Sequence, residues 1–125
     1  MGCSTYGLTM PIVEVTVGPR VDESAITRLR EVLPEVVSLA VECPEEPYDG
    51  ELKPGDVPLL FRPAGPDDMS GLDVLIEVRS KWFASRADNV QERTDELGSA
   101  LADSLKDLAF GVFLSLPVAA WSQTD

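Results

Sequence analysis

Residues 12–17 read Ile-Val-Glu-Val-Thr-Val, and this stretch decides the fold class of the chain. All of its side chains except Glu14 are β-branched, and Val13, Val15 and Val17 occupy every second position. A period of two predicts a β-strand with one apolar face and one mixed face. The Gly-Pro pair that follows residue 17 ends this strand.

A helix and a second strand are predicted next. The sequence Asp-Glu-Ser at residues 22–24 supplies helix-capping side chains, and apolar residues then recur at helical spacing. We expect this helix to end at Pro34, because proline lacks the backbone N–H that a helix interior needs. Apolar and polar residues alternate from Val37 to Cys43, which predicts a strand. Residues 11–43 are therefore predicted to form a βαβ unit with parallel strands.

The connection at residues 44–71 is rich in proline and glycine. A segment of this length without any regular structure is unusual inside a compact domain. We therefore expect a short edge strand between Val57 and Arg62, where prolines are tolerated.

The second half of the chain repeats the pattern of the first as a second βαβ unit over residues 72–122. Its strands are expected at residues 72–79 and 110–116, and its helix from about Ala87, with an apolar stripe that continues to Leu108. After an N-terminal extension at residues 1–10, the whole chain is predicted to be a single α+β domain. Its tandem βαβ units form a four-stranded mixed sheet with two helices on one face.

Composition excludes several classes of function. The chain has 125 residues, a net charge of −12 and no histidine. The acidic balance argues against nucleic acid and anionic membranes as partners. Without histidine, catalytic pairs of serine or cysteine with an imidazole base are impossible, and Cys3 and Cys43 alone are too few for a zinc site. Two distant cysteines and no export signal predict free thiols and a cytoplasmic location.

Residues at the joints of the two units resemble the tautomerase superfamily. Met10-Pro11 opens the first strand, as in chains of that family in which proline directly follows the initiator methionine. In the second unit a strand ends in the basic residue Lys81, Ser85-Arg86 opens the helix, and Leu-Pro-Val-Ala-Ala-Trp-Ser follows the last strand. In length and in its proline-rich middle the chain is similar to the two-unit members of the family. These include the 5-carboxymethyl-2-hydroxymuconate isomerases, malonate semialdehyde decarboxylases and haloacrylate dehalogenases.

The resemblance implies a MIF-like homotrimer that needs no metal or cofactor. It implies isomerisation of a small 2-oxo or 2-hydroxy (enol) acid, or a related decarboxylation, with Pro11 as the base if it is the mature N-terminus. The amine of such a proline carries a proton between carbon and oxygen of the substrate. Arg86 is implied to hold the substrate carboxylate, with Lys81 or Arg79 assisting.

Other hypotheses remain open at this point. Ten residues precede Pro11 in the chain, so its nitrogen is then a tertiary amide without basicity. The enzyme hypothesis therefore requires translation to begin at Met10. Some members of the family carry a basic residue on the second strand, where this chain has Ser38 and Glu42. The alternatives are a non-catalytic trimer of the same fold that serves as a binding or assembly module, and an unrelated ferredoxin-like ligand-binding domain.

One further catalytic pair is considered and set aside. Ser80 and Lys81 are neighbours in sequence, and adjacent residues of a strand point to opposite faces. This argues against a serine–lysine dyad.

Overall fold

The fold is a mixed four-stranded sheet that packs against helices on one face. The computed structural model describes residues 11–45, 57–122 and 124. The described elements are, in chain order, β1 (Ile12–Val17), α1 (Glu23–Val41), β2 (Leu59–Pro63), β3 (Val74–Arg79), α2 (Ala84–Asp88), α3 (Val90–Leu101) and β4 (Phe110–Ser115). The predicted α+β class and mixed sheet are confirmed, with α2 as a short additional helix. None of the helices in the described ranges has the length and apolar character of a membrane span.

The sheet has the strand order β2-β1-β3-β4. β1 is parallel to β2 and β3 is parallel to β4, so each of these pairs belongs to one βαβ unit. The central strands β1 and β3 are antiparallel and join the two units, with Ile12 opposite Arg79 and Val17 opposite Val74. This pairing brings the start of β1 to the end of β3.

One face of the sheet and the two long helices enclose the core. Val13 and Val15 of β1 and Ile76 and Val78 of β3 are inaccessible to solvent, as the period of two requires. The helices contribute further buried side chains to the same cluster, namely Leu29, Leu33, Val37 and Val41 from α1 and Leu97 and Leu101 from α3. Each such side chain stabilises the fold by about 1.5–3 kcal/mol through burial. The apolar face predicted for residues 12–17 is therefore the centre of the core.

The prediction that the first helix ends at Pro34 is wrong, because α1 continues to Val41. Leu33, Val37 and Val41 are buried at intervals of four residues, whereas Leu39 is more than half exposed, and this is the pattern of a helix. The apolar contacts of the last two turns outweigh the single backbone donor that Pro34 removes.

The strand predicted from Val37 to Cys43 is consequently wrong as well. Its apparent alternation arises because a helix with closely spaced valines also matches a period of two over a few residues. The parallel partner of β1 is instead β2, so the first unit ends in β2 and not at residue 43. The predicted edge strand between Val57 and Arg62 is confirmed as β2, which lies at the edge of the sheet. It is the parallel partner of β1 that was expected at residues 37–43.

The second predicted helix is interrupted. Asn89, with φ −133° and ψ 39°, separates α2 from α3, and α3 ends at Leu101. The apolar stripe continues beyond this end, since Leu105 is buried within turns, and Asp107 adopts a positive φ of 68° before β4. The stripe therefore identified residues that are buried in the core or packed against it, but it did not identify the end of the helix.

The first turn of α1 is held by the capping residue Asp22. One carboxylate oxygen accepts the backbone N–H of Ala25 at 3.0 Å and the hydroxyl of Ser24 at 3.0 Å. The hydrogen bond from Ala25, followed by that from Ser24, lowers the pKa of Asp22 from its ordinary value. The acidic cluster seen in the sequence is thus the N-cap that it predicted.

We expect Asp22→Ala to destabilise the protein at neutral pH, because the N–H of Ala25 loses its acceptor. The pKa of Asp22 is lower in the folded than in the unfolded state. The contribution of Asp22 to the free energy of unfolding is therefore complete above the unfolded pKa of about 3.9. This contribution is lost as the pH falls through the folded pKa. Thermal unfolding midpoints of wild type and Asp22→Ala should differ at pH 7 and converge in strong acid. The control Asp22→Asn keeps an acceptor and should lose less. Equal midpoints for wild type and Asp22→Ala at pH 7 would contradict the cap.

Candidate active site

A cavity of about 110 Å³ lies where β1 begins and β3 ends. Ile12 lines it from β1, and Arg79, Ser80 and Lys81 line it from the end of β3. The segment that follows β4 completes the wall, with Pro117, Ala119, Ala120 and Trp121. The antiparallel register creates this site, because it places Ile12 opposite Arg79.

Backbone hydrogen bonds fix the two outer walls of the cavity to each other. The N–H of Ser80 donates to the carbonyl of Ser115 at 3.0 Å, and the N–H of Trp82 donates to the carbonyl of Pro117 at 2.9 Å. The pairing of β3 with β4 is thereby extended beyond both strands. The cavity wall is consequently part of the sheet framework rather than an independent loop.

Arg79 lies in a row of charges on the sheet face opposite the helices. Its Nη2 donates to Glu14 Oε2 at 2.7 Å, and the other carboxylate oxygen of Glu14 lies 3.7 Å from Arg62 Nη2. The hydrogen bond from Arg79 lowers the pKa of Glu14 against the opposing effect of desolvation, and the charge of Arg62 acts in the same direction as Arg79. Glu14 therefore carries its negative charge between two arginines at neutral pH.

Lys81 is the second basic residue of the cavity wall. Its ammonium lies 5.3 Å from the centre of the Phe83 ring, and the guanidinium carbon of Arg86 lies at the same distance from that centre. Both distances are within the range of cation–π attraction. The Phe83 ring, in the segment between β3 and α2, therefore stabilises the positions of both cations.

Arg86 is not among the residues that line the cavity. Its side chain is inaccessible to solvent, and its Nε donates to the buried carbonyl of Val41 at 2.7 Å. Its Nη1 donates to the carbonyl of Lys81 at 2.6 Å. Of the four residues implied by the resemblance, the structure therefore brings Arg79 and Lys81 to the start of β1 and directs Arg86 to backbone carbonyls.

A second arginine contacts the same end of α1. The last turn of α1 has no basic residue of its own, and Arg93 of α3 donates to the carbonyls of Ala40 and Glu42, both at 2.8 Å. Positive charge at a helix C-terminus is favourable because the unpaired carbonyls there carry partial negative charge. Arg86 and Arg93 together donate hydrogen bonds to the last carbonyls of α1.

Pro11 is buried and directly precedes the strand residue Ile12 that lines the cavity. Residues 1–10, including the predicted start at Met10, lie outside the described residues. The same holds for Cys3, whereas Cys43 is a buried free thiol. Among the described residues, no group of three or more acidic or thiol side chains is placed to hold a metal ion.

The sequence interpretation missed Glu14 and considered Ser80 only in a dyad with Lys81, which it set aside. Glu14 interrupts an otherwise β-branched strand, and this isolated charge was the available signal for a partner across the sheet. Ser80 is also among the residues that line the cavity, and its side chain is buried. Ser38 and Glu42, expected on a strand, belong instead to α1 and its C-cap.

No protein-family model matches the sequence, and no curated protein matches it. Solved structures do match in three dimensions. A 5-carboxymethyl-2-hydroxymuconate isomerase from Deinococcus radiodurans R1 is similar with a TM-score of 0.64 and 16% identity, covering 97% of this chain and 94% of its own. Leishmania major MIF2 is similar with a TM-score of 0.56 and 17% identity, covering 94% and 98%. A 5-carboxymethyl-2-hydroxymuconate delta-isomerase gives 0.55 and 16%, covering 96% and 89%. The chain therefore shares the fold of these proteins, in agreement with the α+β fold that its resemblance to the tautomerase superfamily implied.

We expect Arg86→Met to lower the free energy of unfolding by about 3 kcal/mol or more, since two charge-assisted hydrogen bonds of about 1.5–3 kcal/mol each are lost. Urea denaturation measures this change. The control Arg30→Met alters an exposed arginine of α1 and should change stability by less than about 0.5 kcal/mol. Wild-type stability of Arg86→Met, combined with loss of carboxylate binding, would instead favour Arg86 as the substrate clamp.

Proposed function

We propose that this protein, in a form that begins at Pro11, is a cofactor-free tautomerase of a small 2-oxo or 2-hydroxy acid. The observation that carries the proposal is the cavity at the start of β1, with Arg79 and Lys81 in its wall. Two proteins of similar structure are named as 5-carboxymethyl-2-hydroxymuconate isomerases, which supports an isomerase reaction on an organic acid.

The proposed base is the secondary amine of Pro11. In the conversion of an enol to its keto form, the amine accepts the enol O–H proton and leaves an enolate. The prolinium then returns a proton to the carbon next to C2: the C=C electron pair forms the new C–H bond while an oxygen electron pair completes the C=O bond, and the amine is neutral again. The reaction moves one proton and needs neither an oxidant nor a metal ion. Pro11 is suited to this role because it directly precedes a residue that lines the cavity.

Arg79 and Lys81 are the proposed carboxylate-binding residues. Only one guanidinium nitrogen of Arg79 is engaged by Glu14, so the remaining donors of its planar group are available for a second carboxylate. The ammonium of Lys81 adds a flexible point charge. Glu14 offsets one positive charge beside the cavity, which favours a ligand with a single carboxylate at this end.

The size of the cavity restricts the part of the ligand that enters it. A volume of about 110 Å³ corresponds to roughly three to four water molecules in the liquid. This is enough for the head of a 2-oxo acid, with a larger substituent remaining at the mouth. We infer that the enzyme recognises the acid head and tolerates variation beyond it.

A homotrimer is part of the proposal. The sheet face opposite the helices is not covered by a helix in the described residues, and its edge strands present Leu60 and Phe113, which are 42% and 61% exposed. Apolar side chains on an open sheet face favour contact with another copy of the chain.

The decisive experiment compares two homogeneous proteins whose N-termini are verified by intact mass, one beginning at Pro11 and one at Met1. The first is expected to ketonise phenylenolpyruvate, followed by absorbance, and the second is not, because its Pro11 nitrogen is an amide. In the Pro11 form, Pro11→Ala should reduce the rate by about 100-fold or more, the usual contribution of a general base.

Two results would count against this mechanism. Equal rates for the two N-terminal forms would exclude the amine of Pro11 as the base. If neither form turns over the enol but both bind the acid, the alternative of a non-catalytic binding or assembly module is favoured.

Light scattering tests the oligomer. Wild type should have three times the 13.5-kDa mass of one chain. Phe113→Asp should shift the protein toward smaller species, because it introduces charge into the open sheet face. Met69→Asp changes an exposed apolar residue of the loop before β3 and should leave the mass unchanged. A monomeric wild type would contradict the trimer.

A further inference from the structure

A groove of about 460 Å³ lies between the two long helices α1 and α3. On the α1 side it is lined by Val36, Leu39 and Ala40, and on the α3 side by residues between Asp95 and Ala100. None of the strand residues that the structure describes lines it, so the groove is separate from the cavity at the start of β1 and from the open sheet face. The proposed function uses neither wall of this groove.

The part of the groove that α1 supplies is apolar. Leu39 is 55% exposed, whereas the other apolar side chains of α1 are buried or half-buried. Val36 lies about one turn earlier on the same side of the helix. Ala40 and Ala100 have short side chains, which leaves space between the helices. An apolar surface with a polar rim is typical of a site that binds another molecule, and the volume of the groove is within the range of such sites.

The part of the groove that α3 supplies is acidic at its edge. Asp95 and Glu96 line the groove and are exposed, and Glu92 is exposed one turn before Glu96. Arg93 is the one basic residue of α3, and it donates to the carbonyls at the end of α1. Negative charge therefore dominates this edge, which attracts a basic partner and repels an acidic one.

The walls of the groove determine the form of chain that fits it. In the interiors of α1 and α3 the backbone N–H and C=O groups bond to each other within each helix, so the walls offer no main-chain partners. An extended peptide in the groove would bury unpaired backbone groups, whereas a helix pairs its own. The lining residues cover about one and a half turns of each helix, which suits apolar side chains three or four residues apart.

We propose that the groove between α1 and α3 binds a partner protein through a basic amphipathic helix. The apolar face of that helix packs on Val36 and Leu39, and its lysine or arginine side chains pair with Asp95 and Glu96. A second copy of this chain is a poor occupant, because its net charge of −12 brings like charge to the acidic edge. The inference does not depend on the proposed catalytic function.

A designed peptide serves as the probe. It has about 18 residues of leucine, lysine and alanine, long enough to form a helix, and its leucines recur at the i, i+3, i+4 and i+7 spacing. One control peptide has the same composition in scrambled order, so that the leucines do not share a face. Another has glutamate in place of lysine. Fluorescence anisotropy of labelled peptides measures their affinities for the full chain and for the form that begins at Pro11.

We expect wild type to bind the helical basic peptide and to bind both control peptides at least about 10-fold more weakly. Leu39→Gln should weaken the basic peptide about 10-fold through lost apolar contact, and Ala100→Phe should weaken it by filling the groove. Glu96→Gln should weaken it by about 2- to 5-fold and reduce its dependence on salt. The controls Met69→Gln and Glu31→Gln change exposed residues that do not line the groove and should leave the affinity unchanged. Circular dichroism verifies that each variant is folded.

Several results would overturn the proposal while the proposed function stands. Equal affinities for the helical and scrambled peptides, or unchanged binding by both Leu39→Gln and Ala100→Phe, would mean attraction by net charge alone. A lower mass of Leu39→Gln in light scattering would assign the groove to a second copy of the chain. Binding by the form that begins at Pro11 but not by the full chain would assign it to residues 1–10. Failure of wild type to bind the basic peptide in either form would exclude a basic helix as the occupant.

Discussion

A guanidinium group that is shielded from water needs hydrogen-bond acceptors within the protein, and Arg86 finds them on two separate segments. One is the Val41 carbonyl in the last turn of α1, and the other is the Lys81 carbonyl just after β3. Because these carbonyls belong to different βαβ units, a single side chain fixes the end of one helix relative to the loop at the cavity. The wall that carries Lys81 therefore depends on a residue that does not line the cavity.

The strands were largely predictable because their signal is local. Alternation over residues 12–17 identified β1, and a pair of parallel units around a mixed sheet followed from the repeat of the pattern. The end of α1 was not predictable in this way. Pro34 is a strong local signal against a helix, and the contacts that override it come from residues on the sheet and on α3. Local preference was thus reliable where it agreed with the tertiary packing and misleading where it did not.

The predictions for the candidate site succeeded and failed for similar reasons. The family resemblance implied Arg79 and Lys81 as site residues, and the antiparallel register of β1 and β3 brings them to the start of β1. Arg86 has the residue type expected of a carboxylate clamp, but its burial and its two backbone acceptors depend on the position of α1.

The dependence of α1 on Arg86 and Arg93 makes the two halves of this chain unequal. Each half provides a pair of parallel strands and a long helix, and in this respect they resemble copies of one unit. The first half nevertheless ends its helix without a basic residue, and the second half supplies both arginines that contact the last carbonyls. The described part of the first half has no residue that makes these contacts to its own helix end. The two halves therefore differ in how the backbone carbonyls at the helix end are paired, and in this respect the second half complements the first.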